Sequence, residues 1–286
     1  MNILHPTFTA RSDKIPGWIT QVIRLVQQVA LEHGIEFVMV GAMARDLLLQ
    51  GVFGLAPGKQ TIDLDFGFAV ENWEQFLALR SALIATNNFQ PTDRVSQRIL
   101  YKGEWRVDLI PFGGVEDENG AIAWPPSRDI VLNVAGFEDA LASAIRVQVD
   151  ADLIVPVASL PGLAVLKLVA WADQRDKANS DADDLHRLMA DYGNAGNENR
   201  LYGEELHFFE DAKFDFELAG ARLLGKDVAS IVTTMTAARI TDVLGSEKQL
   251  NRLLLQMLQA VAVIDERVPM RYAELLNAFR EGFLNR

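Results

Sequence analysis

The sequence predicts a mixed α/β N-terminal part followed by a helical C-terminal part. Three observations predict it. Short runs of β-formers alternate with helix-patterned segments up to about residue 157. From Leu160 onward nearly every segment carries apolar residues at helical spacing. Within the first of these parts, "SQRILYK" and "EWRVDLIPF" read as two strands joined at Gly103, a hairpin pattern.

The elements follow in order. Residues 17–33 ("GWITQVIRLVQQVALEH") form an amphipathic pattern and predict a helix. "IEFVMV" (Ile35 to Val40) predicts a buried strand that runs into Gly41, and "AMARDLLLQ" then predicts a helix. "GVFGLAPGK" (Gly51 to Lys59), with three glycines and a proline, predicts a loop. "TIDLDFGFAV" predicts the next strand and "NWEQFLALRSALIAT" (Asn72 to Thr86) a helix. After the hairpin, "GFEDALASA" predicts a short helix, and "IRVQVD" and "LIVPVAS" two short strands around Asp150 to Asp152. "DYGNAGNENRLYG" (Asp191 to Gly203) predicts a loop inside the helical part. The domains are therefore placed at 1–157 and 158–286.

Composition narrows the function classes. The 286 residues suit one large domain or two ordinary ones, and 49% hydrophobic against 23% charged is the balance of a soluble globular protein with a sizeable core. The net charge of −12 lacks a broadly basic nucleic-acid footprint, although a local basic groove remains compatible with it. Absence of cysteine excludes disulfides and Cys-ligated zinc or iron–sulfur sites, and fits a reducing compartment. The N-terminus has no basic start followed by an apolar core, so no signal peptide is expected. The longest apolar helical run is interrupted by Lys167 and is too short to span a bilayer. A cytoplasmic protein without membrane contact is the expectation.

Three segments carry candidate chemistry. In "VGAMARD" a strand feeds a glycine and then a helix start, where free N–H groups favour phosphate and Gly41 admits close approach. In "TIDLDF", alternation places Ile62, Leu64 and Phe66 on one strand face and Asp63 and Asp65 on the other. Two adjacent carboxylates repel, so that face is either wet or holds something positive. In "RVDLIPF", Asp108 is a lone acid in an apolar strand. The economical explanation is a carboxylate cluster for Mg²⁺, a hard cation that takes a few carboxylates plus substrate phosphates. With two ions, Asp63 and Asp65 would ligate, and Asp108 would ligate the second ion and take the proton of an attacking hydroxyl.

"VGAMARDLLL…TIDLDF…RVDLIPF" resembles the signature of the nucleotidyltransferase superfamily, with its polymerase-β-like fold. With "VASLPGLAVLKLVAWADQR" and "DADDL", a lysine on one helix and acids on the next, the chain is most similar to AbiEii/AbiGii-type nucleotidyltransferase toxins. The resemblance runs from about Glu36 to Leu188. It implies an α/β (α+β) nucleotidyltransferase core with a mixed sheet, followed by a helical C-terminal domain. It implies transfer of a nucleoside monophosphate from an NTP to an acceptor hydroxyl of RNA or protein, with release of pyrophosphate. A possible antitoxin is the implied partner. Gly41 and Ala42 would line the phosphate turn with Arg45 behind it. Ala42 stands where many relatives carry serine or a second glycine, so contact there must come from backbone N–H. Asp63, Asp65 and Asp108 would bind metal, Lys167 would contact the nucleotide phosphates, and Asp181 and Asp184 would orient Lys167 or the acceptor.

Read from the residues alone, Lys167 lies among Leu163, Val165, Leu168 and Val169, so its ammonium either snorkels at the core edge or needs a partner. Asp181, Asp184 or a triphosphate would serve. Trp171 reads as a core residue before a base-stacking one. Arg94, Arg98, Lys102 and Arg106 form a basic strip near Asp108, either a solvated strand face or a guide for an anionic acceptor. His5, His33, His186 and His207 lack metal-ligand spacing. The alternatives are an aminoglycoside-like small-molecule acceptor, or a catalytically silent nucleotide-binding regulator.

Overall fold

The computed structural model describes residues 7–11, 13, 15–58, 61–92, 96–173, 180–259, 265 and 267–285. The chain divides into two compact units, Met1–Ser159 and Leu160–Arg286.

The first unit is built on a mixed eight-stranded sheet among the described residues. Its strands are β1 (Thr7–Thr9), β2 (Glu36–Val40), β3 (Leu64–Val70), β4 (Phe89–Pro91), β5 (Arg98–Tyr101), β6 (Trp105–Gly113), β9 (Ile145–Asp150) and β10 (Leu153–Val157). They lie in the order β1-β9-β10-β2-β3-β6-β5-β4. β7 (Ala121–Ala123) and β8 (Val131–Asn133) form a separate two-stranded ribbon. The central strands fix the site. β2 runs antiparallel to β3, β3 parallel to β6, and β6 antiparallel to β5. Leu64, Phe66 and Phe68 are fully buried along β3, each contributing about 2 kcal/mol of burial by its side-chain size. That apolar face pins the strand register, because a one-residue slip would send it to the opposite side.

Helix α1 (Gly17–Glu32) buries Ile19, Val22, Ile23, Val26 and Val29, the stripe its periodicity predicts. The helix after Gly41 is α2 (Gly41–Asp46), which passes into a π-helical turn over Leu47–Val52. The expected loop therefore begins after Val52, two residues beyond its predicted start at Gly51. Asn72 caps α3 (Trp73–Ala85) by accepting from the Gln75 N–H at 2.9 Å, which explains where that helix starts. The hairpin turns through Lys102 and Gly103, both at positive φ. Helix α4 (Phe137–Ala142) follows as expected. Strands β1, β4, β7 and β8 were not expected; each is three residues long, too short for a period to register. Ile62, expected to share a face with Leu64 and Phe66, is 59% exposed while those two are buried, because β3 begins only at Leu64.

The second unit is helical: α5 (Leu160–Asp173), α6 (Ser180–Asp191), α7 (Glu198–Leu201), α8 (Leu206–Asp211), α9 (Phe216–Ile231), α10 (Thr234–Leu244), α11 (Glu247–Gln259) and α12 (Arg267–Leu284). Short α7 falls inside the segment expected to be a loop. Helices α9 and α12 touch backbone to backbone: a Cβ on Gly282 would stand 1.9 Å from the Arg222 carbonyl oxygen. Trp171 is fully buried and donates its indole N–H to Gln256, so it is a core residue as expected. Among the described residues, no helix is long and apolar enough to cross a membrane.

Candidate active site

Strand register assembles the acidic residues. Asp65 on β3 pairs with Asp108 on β6, and Asp108 pairs with Arg98 on β5. Directly paired residues on neighbouring strands share a face, so Arg98, Asp108 and Asp65 form one row across three strands. Val40 pairs with Asp65 on the other side, which brings the turn at Gly41 to the end of that row. Asp63 precedes β3 by one residue, and its charge, like that of Asp65, acts on Arg98. Arg106, two residues before Asp108, reaches Oδ2 of Asp63 at 3.6 Å. Arg98 and Arg106 thus both stand against acids of this cluster.

Gly41 has a specific reason to be glycine. Its φ is +76°, and a Cβ there would lie 2.0 Å from Oδ2 of Asp65. Backbone and carboxylate therefore meet directly at the start of α2. Ala42 follows in the first turn of that helix. Arg45 is 3% exposed and donates from Nε and Nη2 to Oδ1 of Asp46, at 2.9 and 2.8 Å. Its guanidinium is thus tied down behind the turn.

The three acids differ in environment. Oδ1 of Asp63 is buried and has no hydrogen-bond partner among the described residues, while its Oδ2 faces Arg106. Its backbone N–H donates to Thr61 Oγ1 at 3.3 Å. Asp108 is 8% exposed and both its oxygens are occupied: Arg98 Nε donates to Oδ1 and Nη2 to Oδ2, each at 2.7 Å. Arg98 holds its proton more tightly than a free arginine. Its hydrogen bonds to Asp108 do most of this; burial opposes them, and the charges of Asp108, Asp63 and Asp65 add to the hold.

The fit to a divalent cation follows from the donor set. Asp63 and Asp65 offer hard oxygen donors, and a buried carboxylate oxygen with no donor is a cost that a cation would remove. Among the described residues no group of three His, Cys, Asp or Glu side chains is arranged to hold a metal ion. The pair Asp63 and Asp65 fits such an ion; Asp108, as it stands, is taken by Arg98.

Lys167 of α5 meets two acids of α6, Asp181 at 2.8 Å and Asp184 at 2.6 Å, and all three side chains are nearly buried. Burial alone would lower the ammonium's pKa; the charges of Asp181 and Asp184 outweigh it and raise it. Of the sequence's two readings, the partnered lysine is the one the helices build.

The basic strip divides. Arg98 and Arg106 face the carboxylates, whereas Lys102 lies over the Tyr101 ring at 5.1 Å. Arg94 and His5 lie outside the described residues. His186 stacks on Tyr272 with ring centroids 3.6 Å apart, and burial lowers its pKa to about 4. The Arg98–Asp108 pair was the contact sequence reasoning missed. Counting the hairpin outward from Gly103 would have set the two opposite each other.

The chain matches a family model described as "Nucleotidyl transferase AbiEii toxin, Type IV TA system" over residues 24–261. Among similar solved structures is the antibiotic-resistance factor ANT(2'')-Ia, 10% identical, with a TM-score of 0.37, covering 70% of this chain and 98% of that one. A CCA-adding enzyme in its apo form II is 12% identical, with a TM-score of 0.31 and coverage of 95% and 84%. A Thermotoga maritima CCA-adding enzyme complexed with tRNA is 12% identical, with a TM-score of 0.26 and coverage of 95% and 83%. No curated protein matches the chain.

Proposed function

The chain belongs to the AbiEii nucleotidyl transferase toxin family and is a nucleotidyltransferase, and from that premise we propose that it moves a nucleoside monophosphate from an NTP to an acceptor hydroxyl of RNA or protein. The observation that carries this reading is the row of Asp65 and Asp108 beside the Gly41 turn, with Asp63 next to it. In this reading the acceptor oxygen forms a bond to the α-phosphorus, the bond to the bridging oxygen breaks, and pyrophosphate leaves. Asp63 and Asp65 would hold Mg²⁺, which when bound neutralises triphosphate charge and polarises the reacting oxygens.

The chain's own groups do the rest. The Gly41–Ala42 backbone would offer N–H groups to phosphate, at a turn where the missing Cβ makes room for the Asp65 carboxylate. In this reading Arg45, hydrogen-bonded to its neighbour Asp46, stands behind the turn. Asp108 is the third acid, placed beside Asp65 to receive the proton of the acceptor hydroxyl. Within the second unit, Asp181 and Asp184 hold the Lys167 ammonium between them. Catalysis of this kind rests on positioning and electrostatics more than on covalent help from protein. The type IV toxin–antitoxin description of the family supports an antitoxin as a partner in the cell.

A second reading keeps the chemistry and changes the acceptor. The net charge of −12 favours a small cationic acceptor such as an aminocyclitol. Incubation with each α-labelled NTP, offering total cellular RNA, total protein and an aminoglycoside panel in parallel, separates them. Label in RNA or protein supports the first reading. Label in aminoglycoside alone overturns it in favour of the second.

A further inference from the structure

Asp108 and Asp63 are both acids of the cluster and both lie near a guanidinium, yet they are held very differently. Arg106 approaches a single oxygen of Asp63 at 3.6 Å from a half-exposed position, and the other oxygen has no partner among the described residues. Arg98 grips both oxygens of Asp108 at 2.7 Å, with its side chain 22% exposed. The fork of a guanidinium matches a carboxylate in two parallel bonds, the strongest neutralising arrangement a side chain can offer. A cation entering the cluster thus finds Asp63 available, whereas Asp108 is already neutralised.

We propose that Arg98 is a resident counter-ion that keeps Asp108 out of cation coordination until an anionic group of the substrate takes the guanidinium. This rests on the reading of Asp63 and Asp65 as cation ligands and goes beyond it. At rest a divalent ion meets Asp63 while Asp108 stays with Arg98. A triphosphate offers Arg98 the same paired oxygens that Asp108 offers, with more charge, so the fork exchanges one partner for the other. Asp108 is then released as the third acid only when nucleotide is present. Arg98 acts through Asp108 and is a positioning residue. The hairpin turn at Lys102–Gly103 sets the register that makes the exchange possible, because it alone aligns Arg98 with Asp108.

The test is Mn²⁺ binding to the full chain by electron paramagnetic resonance, with and without a non-hydrolysable NTP analogue. Without nucleotide, Asp108→Asn should bind Mn²⁺ as the wild type does, and Asp63→Asn should lose binding. With the analogue, Asp108→Asn should bind Mn²⁺ about tenfold more weakly than wild type. Arg98→Met should gain, without nucleotide, an additional Mn²⁺ site that Asp108→Asn removes, an effect no loss of folding support would produce. Should Arg98→Met fail to fold, the comparison of wild type with Asp108→Asn stands alone, since asparagine keeps the size of the acid. Weakened Mn²⁺ binding by Asp108→Asn without nucleotide overturns the latch and leaves the cation reading intact. No Mn²⁺ bound by wild type in either condition overturns both.

Discussion

Gly41 and Asp65 share one volume: a Cβ on the glycine would stand 2.0 Å from Oδ2 of the aspartate and 2.8 Å from its Cγ. The strand pair β2–β3 brings them there, through the register Val40 to Asp65.

Gly41→Ala should therefore displace Asp65 as well as strain a backbone at φ +76°. The strain costs about 1–2 kcal/mol, and a shift of the carboxylate by an ångström should cost nucleotide transfer about a hundredfold. Thermal unfolding alongside a transfer assay reads both. Transfer at the wild-type rate would show that the close approach is dispensable.

Lys167 is the cation between Asp181 and Asp184. Lys167→Met leaves two nearly buried carboxylates facing each other, and should cost about 3–5 kcal/mol in urea unfolding. Adding Asp181→Asn and Asp184→Asn to that variant should recover most of the loss, because uncompensated charge rather than missing packing causes it. A loss below about 1 kcal/mol for Lys167→Met would mean that the acids find water instead.

The stacked pair His186 and Tyr272 gives a pH dependence with a definite sign. Burial holds His186 at a pKa of about 4, against about 6.5 in an unfolded chain. Between these values the unfolded state binds a proton that the folded state does not, so stability rises with pH across the window and is lost as pH falls through it. His186→Phe keeps a ring against Tyr272 and removes the proton. Its stability curve between pH 4 and 6.5 should be flatter than wild type by on the order of 3 kcal/mol. Parallel curves would place the histidine's titration elsewhere.

The acids of the α/β unit were legible because Asp63 and Asp65 interrupt a β-former run at a spacing of two, and Asp108 interrupts another. Lys167 was legible for a similar reason, as a charge in an apolar helix. Arg98 could be named as part of a strip but not placed on Asp108, since that contact depends on which residues face each other across a hairpin. The short strands β1 and β4 left no period to read, yet they close the two edges of the sheet. Ile62 was put on one face with Leu64 and Phe66 because alternation was extended two residues past the point where β3 begins. Local pattern marks candidate groups; register decides which of them meet.

Asp63 offers the most direct test, because one of its oxygens is buried without a partner among the described residues. Removing it should relieve a cost to folding while removing a ligand from the site, so Asp63→Ala should unfold at or above the wild-type temperature. The deciding measurement is transfer of label from α-³²P-NTP and, separately, from γ-³²P-NTP into an acceptor with Mg²⁺ present, for wild type and Asp63→Ala. The account predicts that wild type transfers the α-label and releases the γ-label as pyrophosphate, and that folded Asp63→Ala does neither. Transfer of the γ-label, or undiminished α-label transfer by Asp63→Ala, would contradict it.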